Sequence, residues 1–458
     1  MNYRNKLIIC LITLSSTAGN IDSIITAQTN KEDPDPLILT LEQAIDHALI
    51  HSTEIKYAET DIEIAGKRIN EITATGLPQV DASAGYQYYF DIPTSLVPAE
   101  FFGGQPGEFA EIQFGTEQTF NVSATLSQML FDGSYIVGLR AARIYRELAM
   151  QNKERTELDV RNQVSETYFL ILLIQDNLFI LEQNISNINR SLYETEKTLE
   201  EGFTDPINVD QLRLALSNIQ NRFRSMERQY EFSLNLLKFQ IGLDINKGIM
   251  PADSLSDVFN RMMLEADTEE VFRHETHIDY RIMLSRQDMD LMALRREQSF
   301  FLPRLTASYT YQEMAMRNDF NFTDMSRPWF PTSLVALNLS IPIFSGGMRS
   351  AKVQQAKMEL SKTEMAVQQV SESLRLQILD AELKLRTAKE NYLAEKENLE
   401  LAEKILERTT IMYSEGMATS LELTQANEQI LTTLANYYSA MFDFVTSRNN
   451  LIKARGLK

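Results

Sequence analysis

Val335-Ala336-Leu337-Asn338-Leu339-Ser340-Ile341-Pro342-Ile343-Phe344-Ser345-Gly346 is the stretch in which two periodicities meet. Up to Ile343, Val335, Leu337, Leu339 and Ile341 alternate with Ala336, Asn338, Ser340 and Pro342, the period of a strand with one apolar and one polar face. Beyond Gly347 the alternation ends, and about 68 residues from Met348 to Glu415 contain no proline. Within them Leu374, Ile378, Ala381, Leu385, Ala388, Tyr392, Leu399, Ala402 and Leu406 keep heptad spacing, the seam of a coiled coil. A strand of membrane-crossing length is thus followed by a helix of about 100 Å, at ~1.5 Å per residue.

The same order occurs earlier in the chain. Leu126-Ser127-Gln128-Met129-Leu130-Phe131-Asp132-Gly133 matches the stretch from Leu339 to Gly346, and Leu77-Pro78-Gln79-Val80-Asp81-Ala82-Ser83-Ala84 matches Leu302-Pro303-Arg304-Leu305-Thr306-Ala307-Ser308-Tyr309. Glu201-Gly202-Phe203 matches Glu415-Gly416-Met417. A seam from Val164 through Ile171, Ile174, Leu181 and Ile188 to Leu199 occupies the first proline-free run, Ser134 to Glu201. The chain reads as a duplication, residues 28–250 and 251–458, with an insertion between Phe90 and Phe120. Expected strands lie at about 78–90, 118–131, 303–313 and 333–344, and expected helical hairpins at about 134–242 and 348–455. Each long run breaks at a glycine that tolerates a left-handed cap, Gly202 or Gly416. Each returning helix then opens on an N-terminal signal, Thr204-Asp205-Pro206 or Thr419-Ser420-Leu421-Glu422.

Aromatics gather at strand ends and in the loops: Tyr89, Phe90, Phe101, Phe102, Phe120, Phe320, Phe322, Trp329 and Phe330. Such belts mark lipid–water boundaries. Arg4 and Lys6 precede an apolar run from Leu7 to Leu14, which reads as a secretory signal over residues 1–27, cleaved after Ala27 in preference to Ala18. Cys10, the single cysteine, lies in that run behind Ile8 and Ile9, so no lipid anchor is expected and the mature chain has no thiol chemistry. No later stretch reads as a membrane helix, the longest apolar run, Tyr168 to Ile174, being broken by Gln175, Asp176 and Asn177.

In lipid a sheet must close on itself, and four strands are too few. Two, three or four copies would supply eight, twelve or sixteen strands, and periodicity does not choose among them. The order of these parts, with Ile343-Phe344-Ser345-Gly346-Gly347 and the Glu-Gly tips, resembles the TolC family of outer-membrane efflux proteins over nearly the whole mature chain. The resemblance implies a homotrimer whose four membrane strands per protomer share a 12-stranded β-barrel. It also implies an antiparallel α-helical coiled-coil barrel in the periplasm, with shorter equatorial helices within Leu41–Asn70 and roughly Asp253–Phe300. It further implies docking to a periplasmic adaptor and an inner-membrane transporter, the tips Gly202, Phe203, Gly416 and Met417 being the docking points. The family closes its inner end with acidic residues just past the tip glycine. Carried here, those positions are Asn208, Glu422 and Gln425, of which only Glu422 is acidic, with Asp205 and Asp210 nearby. Glu422 also reads as the last residue of a capping box.

The net charge of −19 excludes a nucleic-acid binder. His47 and His51 stand one helical turn apart and read as surface histidines, while His274-Glu275-Thr276-His277 is one residue short of a zinc-protease motif. No phosphate-cradling glycine loop or nucleophile motif is found, so neither catalysis nor a cofactor is expected, and energy must come from a partner. The expected function is a passive outer-membrane exit duct for small molecules. A duct for type I protein secretion is the alternative within the same architecture, and a soluble periplasmic coiled-coil scaffold the alternative outside it.

Overall fold

The computed structural model describes residues 36–265 and 273–457, so the expected signal segment at 1–27 lies outside the described residues. The elements run β1 (Leu37–Leu39), α1 (Leu41–His51), α2 (Thr53–Thr75), β2 (Gln79–Tyr88), β3 (Thr94–Pro98), β4 (Phe109–Gln113), β5 (Gln118–Phe131), α3 (Gly133–Glu200) and α4 (Pro206–Gln240). They continue with β6 (Ile249–Pro251), α5 (Leu255–Glu265), α6 (Ile278–Ser299), β7 (Arg304–Arg317), β8 (Phe330–Ser340), α7 (Met348–Ser414) and α8 (Ser420–Arg455).

Four strands pair antiparallel in the order β2-β5-β7-β8. Each strand joins a helix directly: α2 leads into β2, β5 into α3, α6 into β7 and β8 into α7. The helices pack laterally in the matching order, α2 on α3, α3 on α6 and α6 on α7. Sheet and helices therefore form one continuous wall, with β2 and α2 along one margin and β8 and α7 along the other. In the half far from the sheet, α4 packs on α3 and α8 on α7, and α8 also touches α3 and α4. The long helices have a partner along most of their length, which supplies the apolar contact that a 68-residue helix needs to persist.

The expected seams are the buried ones. Leu374, Ile378, Ala381, Leu385, Ala388, Tyr392 and Ala402 are buried on α7, as are Val164, Ile171, Ile174, Leu181 and Ile188 on α3. The densest core lies midway, where α1, α5 and the parallel pair β1–β6 form a collar against α3, α7 and α8. Phe169, Phe259, Tyr392 and Phe444 meet there at ring separations of 4.8–6.0 Å. Tyr168 fastens the collar, its hydroxyl 2.9 Å from both the Leu39 carbonyl and the Asp253 carboxylate, which also accepts the Leu41 N–H. Burial raises the pKa of this phenol, so it stays a donor.

Three expectations need correction, and the insertion, left without an assigned structure, gains one. The last strand stops at Ser340, because Pro342 offers no N–H to a ladder although Ile341 and Ile343 continue the alternation. Of the shorter helices assigned to the equator, α2 and α6 instead run along the wall toward the sheet, leaving α1 and α5 in the collar. The insertion forms its own hairpin, β3 against β4. Finally, α3 does hold a window of 18 residues with mean hydropathy 1.4, apolar enough by length and composition to cross a membrane. More than half of that window is buried, and its apolar character serves the collar core.

Candidate functional site: the wall and its two ends

Across the sheet, one row reads Val80, Leu126, Tyr309, Val335, and the next row on that face reads Ala82, Ala124, Tyr311, Ser333. The opposite face carries Ser83, Ser123, Gln312 and Thr332 in register, with Ser83 bonded to Ser123 at 2.8 Å and Thr125 to Thr310 at 3.0 Å. Among the described residues no helix covers the apolar face: Val80 is 73% exposed, Val335 72% and Leu337 68%. A water-soluble sheet buries that face, and a membrane wall turns it to lipid.

At the loop end, Tyr86, Phe120, Phe320, Phe322 and Trp329 form a cluster of edge-to-face pairs with one tilted pair, Phe120 on Phe322, at ring separations of 5.5–6.0 Å. Phe120 and Trp329 are thus packed against each other, whereas Tyr89, Phe90 and Phe330 are exposed beside them. The sequence reading missed the aromatics of the other end, Phe131, Phe301 and Phe344, all at least 40% exposed where strand passes to helix. Their spacing of one strand length from the first group was the available signal.

The far ends of the hairpins share one backbone solution. Gly202 and Gly416 adopt φ of +80° and +71°, and the following N–H reaches five residues back, from Phe203 to Thr198 and from Met417 to Met412. This pattern satisfies carbonyls left over at the helix end and needs glycine for its left-handed step. Phe203 and Met417 project from the turns, 80% and 66% exposed.

The returning helices are capped differently. Asp205 caps α4 by accepting the Ile207 N–H at 2.9 Å. Thr419 and Glu422 form the reciprocal capping box of α8: the Glu422 carboxylate accepts the Thr419 N–H at 2.7 Å, and the Thr419 hydroxyl accepts the Glu422 N–H at 3.2 Å. The Thr419 backbone bond, helped by its hydroxyl, holds the Glu422 carboxyl below the usual range. Asp210 is exposed, 3.9 Å from Arg213 on its own helix. Asn208 lies between the hairpins, its amide oxygen 2.5 Å from the buried Ser420 hydroxyl, which also lies 2.6 Å from the Gln211 amide oxygen. Nearby, Arg222 of α4 pairs with Glu428 of α8 at 2.9 Å. The Ser420 clasp was not legible, since a serine after a capping threonine carries no mark of a partner more than two hundred residues away.

Glu422, Gln425, Gln429, Thr432, Asn436 and Ser439 follow one another at three- and four-residue steps along α8, all exposed. They form a free polar stripe with a single carboxylate at its tip end. Among the described residues no group of three or more His, Cys, Asp or Glu is placed to hold a metal. His274–Thr276 is a short 3-10 turn and His277 caps α6, so no zinc-protease geometry exists there.

A wall of strands continued by helices, lipid-compatible on one face and polar on the other, defines a subunit of an outer-membrane channel. The chain belongs to the outer membrane efflux protein family, whose profile matches residues 44–243 and 290–457. It is 21% identical over 422 residues to the probable outer membrane lipoprotein SilC of Salmonella typhimurium, covering 91% of this chain and 85% of that one. Outer membrane protein TolC of Salmonella enteritidis is 19% identical over 432 residues, with 91% and 82% covered. The fold is similar to that of CusC, with a TM-score of 0.70, 16% identity and 92% of each chain covered. It is also similar to the Campylobacter jejuni outer membrane channel CmeC, with a TM-score of 0.69, 17% identity and 98% and 94% covered. The protein is thus a TolC-family efflux duct of the outer membrane, and the soluble scaffold is set aside.

Proposed function

We propose that three copies of this chain close into a 12-stranded barrel, continued by a helical barrel, and that the trimer is the exit duct of a tripartite efflux system. The observation that carries this reading is the pair of open margins. Among the described residues of one protomer the outer edges of β2 and β8 find no partner in the sheet, and unpaired edges have no stable place in lipid. Exposed apolar side chains on the helices point the same way: Leu376, Leu379 and Leu383 on α7, and Phe232 and Phe239 on α4. Pairing β8 of one copy with β2 of the next removes every edge. The membrane-facing aromatics are then Tyr89, Phe90, Phe120, Trp329 and Phe330 at one boundary and Phe131, Phe301 and Phe344 at the other.

In this reading small molecules delivered by an inner-membrane transporter pass through a periplasmic adaptor, which grips the tips at Gly202, Phe203, Gly416 and Met417. At rest the tips converge. Glu422, one per copy, sets a ring at the aperture, with Gln425 one turn inward and Asp205, Asn208 and Asp210 on the neighbouring hairpin. The clasp of Ser420 with Asn208 and Gln211 holds the two hairpins of a protomer together in the closed state. Because the stripe on α8 is otherwise neutral, Glu422 dominates the charge that a permeating ion meets. Bilayer recordings of the purified protein test this: Glu422→Ala raises conductance or lowers cation preference. Currents and selectivity identical to those of the wild type remove Glu422 from the aperture.

A further inference from the structure

Charge is sorted along the long helices. From Gly133 to Arg146, α3 carries three arginines and no acid. From Met348 to Met358, α7 carries Arg349, Lys352 and Lys357 and again no acid. Toward the tips the sign reverses: from Glu390 to Glu407, α7 carries six glutamates against two lysines. In a chain with a net charge of −19, cations thus gather where the sheet passes to the helices.

Helix geometry places part of this charge on the outer side of the wall. A groove lies over α3 between α2 and α6, lined by Tyr135, Gly138, Ala142 and Met129. Met129 keeps step with Ser123, Thr125 and Ser127, so the groove opens on the polar side. Ile136, Arg140 and Arg143 follow at four- and three-residue steps on the opposite side of α3. On α6, Arg296 lines the same groove, and Arg295 is turned about 100° from it. On α7, Lys352 lines a cleft with Arg304 and Ser340, also of the polar side, and Lys357 is turned about 140° from it. Arg140, Arg143, Arg295 and Lys357 are exposed, and among the described residues none of them enters an ion pair or a hydrogen bond. The acids on the same stripes, Glu147 and Asp288, stand one and two turns further from the sheet than Arg143 and Arg295.

We propose that Arg140, Arg143, Arg295 and Lys357 form a basic belt that binds anionic phospholipid head groups, in the leaflet of the outer membrane next to the helices. The belt rests on the barrel reading above, which turns the outer side of the sheet to lipid. Phe131, Phe301 and Phe344 stand exposed where strand passes to helix, the place of a water–lipid boundary. At ~1.5 Å per residue, Arg140 and Arg143 lie about 10 and 15 Å from the start of α3, and Lys357 about 14 Å from the start of α7. Side chains lean toward a helix N-terminus, and α3 and α7 both start at the sheet, so these three lean back toward the membrane. Arg295 lies one turn from the end of α6 that enters β7. All four come within a screening length, ~10 Å, of the phosphate layer. Phospholipid answers both features at once: acyl chains meet the aromatics, and phosphates meet cations that no carboxylate of the protomer neutralises.

Native mass spectrometry of the full-length protein, delipidated in mild detergent, tests the belt with added phosphatidylglycerol or phosphatidylcholine of matched acyl chains. The mass of the bare assembly reports on the barrel and the lipid adducts report on the belt, so the two readings fail separately. The wild type retains several-fold more phosphatidylglycerol than phosphatidylcholine. The quadruple variant R140Q/R143Q/R295Q/K357Q, changed only at exposed positions, keeps the oligomer mass and retains the two lipids equally. Replacing Arg140→Lys and Arg143→Lys together preserves the preference, because the belt reads charge. So does Arg296→Gln combined with Lys352→Gln on the polar side. Equal retention by the wild type, a preference that survives the quadruple variant, or its loss in the polar-side pair overturns the belt.

Discussion

The collar and the hairpin tips lie on the same four helices, yet they are built by opposite means. At the collar, Phe169, Phe259 and Phe444 are almost wholly inaccessible, Phe259 lies against the mostly buried Tyr392, and Tyr168 ties α3 to β1 and Asp253. At the tips the buried apolar side chains among the described residues are small in number, Val209, Leu212, Leu423 and Ala426, and order rests on the Ser420 clasp and on caps: two left-handed glycines, Asp205, and the box of Thr419 with Glu422. A dense core opens only with global unfolding, whereas capped ends open locally. The difference teaches where local opening takes the least free energy: at the capped tips and not at the collar.

Substitutions at the two places separate them by size and by range. Phe444→Ala leaves a cavity under Phe259 and costs about 3–5 kcal/mol; chemical denaturation of the detergent-solubilised protein shows the whole helical region losing stability. Gly416→Val forces a branched residue into a left-handed step at φ +71° and costs about 1–2 kcal/mol. Its effect stays local: amide hydrogen exchange accelerates at Met417 and Ala418 and is unchanged at Phe169. Ser420→Ala is smaller, about 1 kcal/mol, the ordinary net worth of a hydrogen bond. It frees Asn208 and Gln211, and exchange rises at the starts of both α4 and α8, although the substitution lies on one. A loss of collar protection in either tip variant would mean that the two regions are one cooperative unit.

Much of this division was legible in the sequence. The heptad seam named the buried residues of α7 and part of those on α3, where Tyr168, Phe169, Leu172 and Leu173 were missed; the tip glycines marked the turns, and the spacing of Thr419 and Glu422 foretold a cap that the structure contains. These are local codes, each written within a few residues. What was not legible is non-local. The order β2-β5-β7-β8 depends on which helix each strand continues, and β1 and β6 are three residues each, too short for any period. Ser420, Asn208 and Gln211 acquire their shared role only when distant segments meet. Ile341 and Ile343 misled for the opposite reason, keeping the pattern of a strand past the proline that ends it.

The account rests on a wall with two unpaired margins, and the mass of the assembled particle tests it most directly. Native mass spectrometry of the protein extracted from outer membranes in mild detergent should give three protomers and no smaller species. A single chain, stable in water without detergent, would contradict it, because one sheet of four strands cannot then be facing lipid.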